Sequence, residues 1–521
     1  LVLLLASINF ITITLAKSLG RTREIGVRKS VGAIKSQLVF QFLMESVVLA
    51  FISLGFGLII VWFVLPMFNE LAQKGLTYDL SLLSISIYVS LTLFVALLAG
   101  FYPALVLSGF KPTKILKGDL TVGSGRQSLR LVMVGAQFVV TIFLITSTLI
   151  MRKQLEYMQN RNLGYDKEHL IMLPLSVPGN MGMLQQLTDG MDKGTRLKLM
   201  LEQVPEITDV SITSHDFGPG SWANLGYTDE DQTEHHFFYN TVDPNYLKTL
   251  NIDLLLGRDF ELGNEADRRR SILVNEAFVK AFSLENPIGE RIPNERFDDH
   301  EIIGVVKDFN FASLHMPVDP LVLSVNPAIG FSGATNVNVN SDPTTKLVVR
   351  VKPGNMEKML PLIEDKFNEA YPGDPFDYNF VDQQLETQYE AEQNLGKIVT
   401  SATVLAIIIG ALGLFALAML TMNARFKEMS IRKVLGASSA NVSLILSKSY
   451  FILVLVALII SIPLSYQVMS SWLNEFAYRS DIGISIYIMA GFISILVAWI
   501  AISYHSIKLA LNNPVNGLRT E

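Results

Sequence analysis

The chain has no cysteine among its 521 residues, and only 17% of the residues are charged. Without cysteine, neither disulfides nor thiolate metal sites can form. A G-x-x-x-x-G-K-[ST] phosphate-binding loop is also absent from the sequence, so the chain offers no such site for ATP. Half of the residues are hydrophobic and the mean hydropathy is +0.36, which excludes an ordinary soluble protein and indicates a membrane protein.

The apolar residues are concentrated in separate long runs. Most runs approach or exceed the roughly 20 residues that a helix needs to cross a bilayer, so we predict about seven membrane-spanning helices. Because Leu1 is not Met and the first run is short, we expect the chain to begin inside a helix of a longer protein. The runs are residues 1–15, 38–65, 80–107, 131–151, 398–420, 442–468 and 484–502.

Basic residues cluster after the first run, between the third and fourth, after the fifth, and at the C-terminus. The positive-inside rule places all four clusters in the cytoplasm, and alternate counting of the spans gives the same side for each. Residues 152–396 are polar and mildly acidic, and they lie between an outward and an inward span. We therefore expect this segment to be an extracytoplasmic domain.

The polar segment mixes strand-like and helix-like patterns, which predicts an α+β domain. We expect residues 376–396, which are acidic and rich in Gln, to form one helix that continues into the membrane as a stalk. The predicted strands are residues 169–175, 209–214, 271–276, 301–309 and 346–352, and the predicted helices are residues 181–203, 275–282 and 355–370.

A charged motif occurs twice, each time between two apolar runs. RTREIGVRKSVGA spans residues 21–33, and RFKEMSIRKVLGA spans residues 425–437. The copies match without a gap at the Arg, Glu, Arg-Lys and Gly-Ala positions, which indicates an internal duplication. In each copy a Glu precedes an Arg by four positions, the favourable order for a helical ion pair. The pairs are Glu24 with Arg28 and Glu428 with Arg432.

Apolar residues follow the motif at helical spacing, which predicts an amphipathic helix leading into the next span. In the first copy these residues are Val27, Val31, Ile34 and Leu38. The small pairs Gly32-Ala33 and Gly436-Ala437 are expected at the corner where this helix turns into the membrane.

The duplicated motif resembles the coupling helix of the FtsX-like permeases of ABC transporters. The polar segment is similar to the MacB-type periplasmic core domain in residues 242–260, 272–282, 286–292 and 302–315. The resemblance implies an α-helical polytopic membrane protein with a large α+β periplasmic domain. The implied parts are a first transmembrane unit at 1–120 (coupling helix 21–37), a cytoplasmic linker at 121–130, a span at 131–151, the periplasmic core domain at 152–396, and a second transmembrane unit at 397–521 (coupling helix 425–441).

The same resemblance implies a non-catalytic permease subunit in a bacterial inner membrane. A separate ABC ATPase dimer would hold the two coupling helices and bind ATP and Mg²⁺, so no cofactor is expected in this chain. Membrane lipid is an expected partner, nucleic acid is not, and a periplasmic or outer-membrane partner stays open. The implied ATPase-coupling residues are Arg21, Glu24, Arg28, Lys29, Gly32, Ala33, Arg425, Glu428, Arg432, Lys433, Gly436 and Ala437.

Other readings of the sequence are weaker but distinct. A membrane sensor or scaffold would use the same architecture to bind a periplasmic ligand without transport. His235 and His236 stand in an acidic stretch, but neighbouring side chains point apart on a strand, so we favour a solvated loop over a metal site. His215-Asp216 near Ser221 suggests a hydrolase triad, but it lacks the G-x-S-x-G element of a hydrolase. We expect a surface turn at residues 268–270.

Overall fold

The structure is a computed structural model that describes residues 1–20, 22–108, 124–177, 182–217, 222–229, 231–297, 299–339, 344–435 and 438–511. The chain divides into two compact units. The first, here called the membrane unit, comprises residues 1–156, 392–473 and 480–521. The second, here called the core unit, comprises residues 157–391 and 474–479.

The membrane unit is built from long apolar helices. Six helices in the described part of the chain are long and apolar enough to span a bilayer, and α1 adds a shorter apolar stretch, Val2–Thr14. These seven segments correspond to the seven predicted runs. The helices are α1 (Val2–Gly20), α2 (Thr22–Ser30), α3 (Lys35–Ala72), α4 (Leu82–Ser108), α5 (Ser124–Asn160), α13 (Glu390–Val434), α14 (Ser439–Leu473) and α15 (Ile484–Leu511).

Glycines in the spans differ in their surroundings. A β-carbon at Gly100 would lie 2.9 Å from Ser46 Oγ, so this glycine lets α4 approach α3 closely. A β-carbon at Gly55 or Gly57 would meet nothing within 4 Å, so these glycines are not needed for close helix packing within the chain. In the second half, a buried cluster joins α5, α13, α14 and α15 through residues that include Phe138, Leu414 and Tyr450.

The core unit contains two sheets. Four antiparallel strands form the first in the order β11-β1-β10-β2, and seven strands form the second in the order β5-β7-β6-β8-β4-β3-β9. In the second sheet β4 pairs with β8 and β6 with β7 in parallel. The strands are β1 (Leu170–Pro174), β2 (Ile207–Thr213), β3 (Ala223–Thr228), β4 (Glu234–Thr241), β5 (Leu254–Gly257), β6 (Ser271–Asn275), β7 (Glu301–Val306), β8 (Leu321–Ser324), β9 (Asn336–Asn338), β10 (Lys346–Val351) and β11 (Asn379–Phe380).

Helices cover both sheets with apolar side chains. Leu197 and Leu201 from one helix and Ile363 and Phe367 from another pack on the four-stranded sheet. Phe278 closes the core of the seven-stranded sheet. The helices are α6 (Met183–Leu201), α7 (Tyr246–Leu250), α8 (Glu265–Arg270), α9 (Glu276–Ala281), α10 (Pro327–Ser332), α11 (Met356–Ala370) and α12 (Val381–Thr387).

The predicted α+β character is confirmed, and the five predicted strands and the helices predicted at residues 181–203, 275–282 and 355–370 have counterparts within a few residues. The single helix predicted for residues 376–396 is wrong. That segment forms β11, then α12, and only from Glu390 the long helix α13. Tyr389 explains the break, because its hydroxyl accepts from Leu314 N at 3.2 Å and its side chain is buried in the core unit.

Two smaller predictions for the core unit also need correction. Residues 268–270 end the short helix α8 instead of forming a turn. His235 and His236 belong to β4 instead of a loop, because Phe237 and Tyr239 on the same strand are buried in the core of the sheet.

A carboxyl group beside β5 is held in an unfavourable environment. Burial, together with the charges of Asp243 and Asp267, raises the pKa of Asp259 to about 6, although Phe260 N donates to this carboxyl at 2.7 Å. Asp267 behaves in the opposite way: two hydrogen bonds of 2.7 Å from Arg258 are the main cause that lowers its pKa to about 2.

We expect Asp259→Asn to stabilise the chain at neutral pH and to change little near pH 4. The folded chain holds the Asp259 proton up to about pH 6, against 3.8 for a free side chain, so stability falls as the pH rises through this interval. Allowing for partial exposure, the gain at pH 7.5 is about 1–2 kcal/mol. Thermal unfolding of the full chain at pH 4 and 7.5 measures the difference in stability between Asp259→Asn and the unchanged chain. Asp267→Asn should instead destabilise at both pH values, because its folded pKa lies below both.

Candidate functional site

The two copies of the charged motif lie at the ends of membrane helices. In the first copy, Arg28 Nη2 lies 2.7 Å from Glu24 Oε1 on the short helix α2. In the second copy, Arg432 Nη2 lies 2.6 Å from Glu428 Oε1 near the end of α13. All four side chains are between 39% and 47% exposed. Such pairs contribute only about 0.3–0.5 kcal/mol each, so their main effect is to orient the arginines.

The copies differ in how their helices are bounded. The first motif forms a helix of its own, Thr22–Ser30, and the next helix begins at Lys35. The second motif continues the long helix α13 to Val434, and the next helix begins at Ser439. Neither copy is a single helix over the whole predicted range, 21–37 or 425–441, because residues 31–34 in the first copy and Leu435 and Ser438 in the second are not helical.

Gly32 ends α2 in a left-handed conformation. Its φ is +105°, and its N–H donates to Lys29 O at 3.2 Å. Ala33 N donates to Arg28 O at 3.0 Å. These two hydrogen bonds form a Schellman motif, in which glycine is favoured because it has no β-carbon. Gly32-Ala33 therefore ends α2 through its backbone conformation, and its place at the corner where the helix turns into the membrane stays a prediction.

We expect Gly32→Ala to loosen the end of α2. A β-carbon at positive φ costs about 1–2 kcal/mol, although nothing lies within 4 Å of it. Amide hydrogen exchange at residues 31–33 should therefore accelerate about 5- to 30-fold, given that 1.4 kcal/mol is a factor of 10. Gly75→Ala, which also meets nothing within 4 Å and has no positive φ, is the matched control and should change little.

A chain of polar contacts ties the first copy to the following span. Arg28 Nη1 donates to Gln41 Oε1 at 2.7 Å, and Gln41 Nε2 donates to Glu45 Oε1 at 3.1 Å. Glu45, an acidic residue inside an apolar run, is thereby held by α3 itself. The second copy has Ile445 and Ser449 at the corresponding positions, so this extension belongs to the first half alone.

Of the four residues in the predicted apolar stripe, Leu38 is buried, whereas Val27, Val31 and Ile34 are more than half exposed. Ile25, which is outside the stripe, is buried with Leu38 and Phe42. Val31 is 83% exposed, and Leu435, its equivalent when Arg21 is aligned with Arg425, is 81% exposed. Each copy therefore presents an aliphatic side chain beside its ion pair. Further exposed members of this surface are Val27, Ile34, Ile431 and Val434.

The remaining motif residues are only partly described. Partial burial and the neighbouring Lys35 charge lower the pKa of Lys29. Arg21, Gly436 and Ala437 lie outside the described residues, as do the side chains of Arg425 and Lys433.

The described residues of the weaker candidate sites form pairwise contacts. His235 Nε2 lies 2.8 Å from Asp229 Oδ2, and His236 Nε2 lies 3.3 Å from Glu234 Oε1. Within the described ranges, no group of three or more His, Cys, Asp or Glu side chains could hold a metal ion. Asp216 lies 3.7 Å from the buried Lys346, and Ser221 is outside the described residues.

A short loop between α14 and α15 belongs to the core unit, which the sequence did not reveal. Phe476 stacks on His315 with ring centroids 4.4 Å apart, and Ala477 N donates to His315 O at 3.0 Å. Arg161 lies over the Tyr478 ring at 3.8 Å. The chain therefore passes between the units at three places: after residue 156, before residue 392, and through residues 474–479.

These features define a class of protein: a polytopic membrane protein with two related helical segments, a repeated charged motif and an inserted α+β domain. Residues 1–112 and 400–511 match the family described as FtsX-like permease C-terminal. Residues 132–361 match the MacB-like periplasmic core domain. The chain belongs to the MacB-like, FtsX-type permeases of ABC transporters, and its core unit is the periplasmic domain. The predicted family and fold class are confirmed.

Individual relatives match parts of the chain. The macrolide export ATP-binding/permease protein MacB of Campylobacter jejuni subsp. jejuni serotype O:23/36 (strain 81-176) is 30% identical over 22% of this chain and 18% of that protein. An uncharacterized ABC transporter permease, YknZ of Bacillus subtilis (strain 168), is 48% identical over 11% of this chain and 15% of that protein. The chain thus spans less than a fifth of the length of these relatives.

Among solved structures, the periplasmic region of MacB from Actinobacillus actinomycetemcomitans aligns with a TM-score of 0.30 and 13% identity. The alignment covers 44% of this chain and 97% of that one.

Proposed function

We propose that this chain is a permease subunit that couples ATP hydrolysis by a separate ATPase to movement of its periplasmic domain, for export or mechanotransmission. One observation carries the proposal. The two motif copies present the same ion pair, and each has an aliphatic side chain that is more than 80% exposed at the equivalent position, Val31 and Leu435. Two matched surfaces of this kind fit a partner with two equivalent subunits.

The chemistry of the surfaces suits a protein partner. Each combines an oriented arginine with exposed aliphatic side chains, the combination that forms anchors in protein interfaces. ATP and Mg²⁺ would then bind to the partner, which we take to be an ABC ATPase dimer on the cytoplasmic side of a bacterial inner membrane. The three chain connections into the periplasmic domain provide routes by which force on the helices could act there.

Exchange of the charges tests the proposal. Glu24→Arg combined with Arg28→Glu keeps an ion pair on α2 but inverts the charges that a partner would contact. We expect the exchanged chain to bind the ATPase at least 10-fold more weakly, a loss of about 1.4 kcal/mol, and to lower ATP turnover of the complex. The same exchange at Glu428 and Arg432 should have a similar effect.

The matched control is the pair Glu265 and Arg269, which lie four positions apart on α8 with Nε 3.2 Å from Oε1. Exchange of these charges should leave ATPase binding and turnover unchanged. The proposal fails if the exchanged motif behaves like this control, because the pair would then only stabilise its helix. It also fails if no ATPase is captured by the full chain.

The observations assign no cargo. A membrane sensor or scaffold that binds a periplasmic ligand without transport is the alternative function. Failure of the full chain to capture an ATPase would favour that alternative.

A further inference from the structure

One side of α5 carries polar side chains that face small residues on α13. Thr148 Oγ1 lies 2.7 Å from Thr403 Oγ1, and Thr141 Oγ1 lies 3.5 Å from Ala406 O. A β-carbon at Gly410 would lie 3.3 Å from Thr141 Oγ1. Small residues on one helix and hydrogen-bonding side chains on the other are typical of close packing between membrane helices.

Gln137, one turn before Thr141, extends this row to a third helix. Its side chain is fully buried, and Nε2 donates to Leu5 O on α1 at 3.2 Å. A β-carbon at Gly413 would lie 2.7 Å from Gln137 Oε1 and 3.2 Å from Asn9 Oδ1. Two amide oxygens, one from α1 and one from α5, therefore converge on the bare backbone of Gly413 on α13.

Both oxygens are buried without a hydrogen-bond donor among the described residues. Asn9 is only 9% exposed, and Gln137 is 0% exposed. Amide oxygens left in this state inside a bilayer are costly, because no bulk water can reach them. Rotation of a side-chain amide by 180° about its last bond exchanges the oxygen for an NH₂ group of the same shape. The NH₂ group can then donate a hydrogen bond to the other amide oxygen.

The positions of Asn9 and Gly413 in the sequence add a symmetry argument. In the alignment that places Arg21 on Arg425, Asn9 falls on Gly413. Equivalent residues of two repeats meet each other only close to the pseudo-two-fold axis that relates the repeats. Asn9 and Gly413 therefore mark where the first and second membrane halves meet, because they lie on the two helices that lead into the motif copies. Gln137 reaches this point from α5.

We propose that Asn9 Nδ2 donates a hydrogen bond to Gln137 Oε1 across Gly413, and that this amide contact joins the two membrane halves at their axis. Gln137 Nε2 continues the chain of hydrogen bonds to Leu5 O. The sequence is asymmetric at this point, since Asn occupies one of the equivalent positions and Gly the other. Gly413 leaves room for the side-chain amides of Asn9 and Gln137, and the Asn9 amide fills the space beside the glycine. Asn9 and Gln137 are positioning residues, and their contact does not depend on the presence of an ATPase.

A double-mutant cycle in the full chain, unfolded reversibly from lipid discs, tests the contact. We expect Asn9→Leu and Gln137→Leu each to shift the unfolding equilibrium about 3- to 10-fold toward the unfolded state. The double variant should fall short of the product of the two effects by a factor of about 3 or more. Independent, multiplicative effects would overturn the proposal.

Gly413 provides a second test that does not remove a polar group. Gly413→Ala should destabilise the membrane unit, because its β-carbon would meet Gln137 Oε1, whereas Gly55→Ala meets nothing within 4 Å and is the control. Combined with Gln137→Ala, Gly413→Ala should lose most of its effect, since the oxygen it meets is gone. If Gly413→Ala is as harmless as Gly55→Ala, or its effect persists in the Gln137→Ala background, the amides do not converge as proposed.

Discussion

Replacement of Lys198 by Met is expected to be among the most destabilising changes in the periplasmic domain. Lys198 and Asp243 form a hydrogen-bonded ion pair, and each residue is only 7% exposed. Ser211 Oγ donates to the other Asp243 oxygen at 2.6 Å, so the carboxylate links α6, β2 and the segment after β4. Loss of the lysine leaves that charge buried without its main partner, which costs about 3–5 kcal/mol.

Hydrogen exchange of the β2 amides in the full chain measures this loss. At 1.4 kcal/mol for each factor of 10, we expect exchange at residues 207–213 to accelerate at least 100-fold. Lys198→Met combined with Asp243→Asn should recover much of the protection, because no uncompensated charge remains. Equal exchange in the single and double variants would show that the lysine acts through packing alone.

Lys248→Met is the matched control for charge. Lys248 also pairs with an aspartate, with Nζ 2.5 Å from Asp209 Oδ1; the lysine side chain is 72% exposed, whereas that of Asp209 is 11% exposed. Because the lysine end of this pair is in water, the pair contributes about 0–1 kcal/mol, and exchange at β2 should change less than 6-fold. The contrast separates the effect of burial from that of the ion pair itself.

The sequence predicted those parts of the fold that depend on local pattern. The length of the apolar runs predicts the membrane-spanning helices, and short apolar runs such as residues 346–352 predict buried strands. β5 escaped prediction although it contains three successive leucines, because Leu254, Leu255 and Leu256 lie exposed on an edge strand. The break before Glu390 also escaped, because it depends on the burial of Tyr389 among residues distant in sequence.

The candidate site, like the fold, was predictable from the sequence only in part. Repetition alone identified both ion pairs, and the spacing of four predicted their geometry. Periodicity also placed Val31 on the apolar face of an amphipathic helix, yet Ile25 is the motif residue that is buried, and Val31 is exposed. Periodicity finds the apolar residues of a short helix but cannot choose among them, since the choice depends on the packing of α3 beside it. The amide contact at Gly413 was equally out of reach, because it joins three helices that are far apart in the chain.

Aspartate at both exposed aliphatic positions of the motif copies should nearly abolish coupling to an ATPase. Val31 and Leu435 are 83% and 81% exposed, so Val31→Asp and Leu435→Asp leave the fold of the free chain intact. In the proposed complex each side chain would be an apolar anchor contributing about 1.5–3 kcal/mol on burial. The double variant should therefore bind the ATPase at least 100-fold more weakly and lose most of the stimulated ATP turnover, whereas each single variant should lose part of it.

The control for this change is Leu262→Asp, which places the same charge on a leucine of the periplasmic domain that is 77% exposed. It should leave ATPase binding unchanged. Binding by titration and turnover of the assembled complex are both needed, because they separate docking from force transmission. Normal binding with lost turnover would make Val31 and Leu435 transmitters of movement after docking, and normal values of both would exclude these residues from the interface. Because Val31 and Leu435 occupy equivalent positions, an effect confined to one motif copy would show that the ATPase binds the two membrane halves differently.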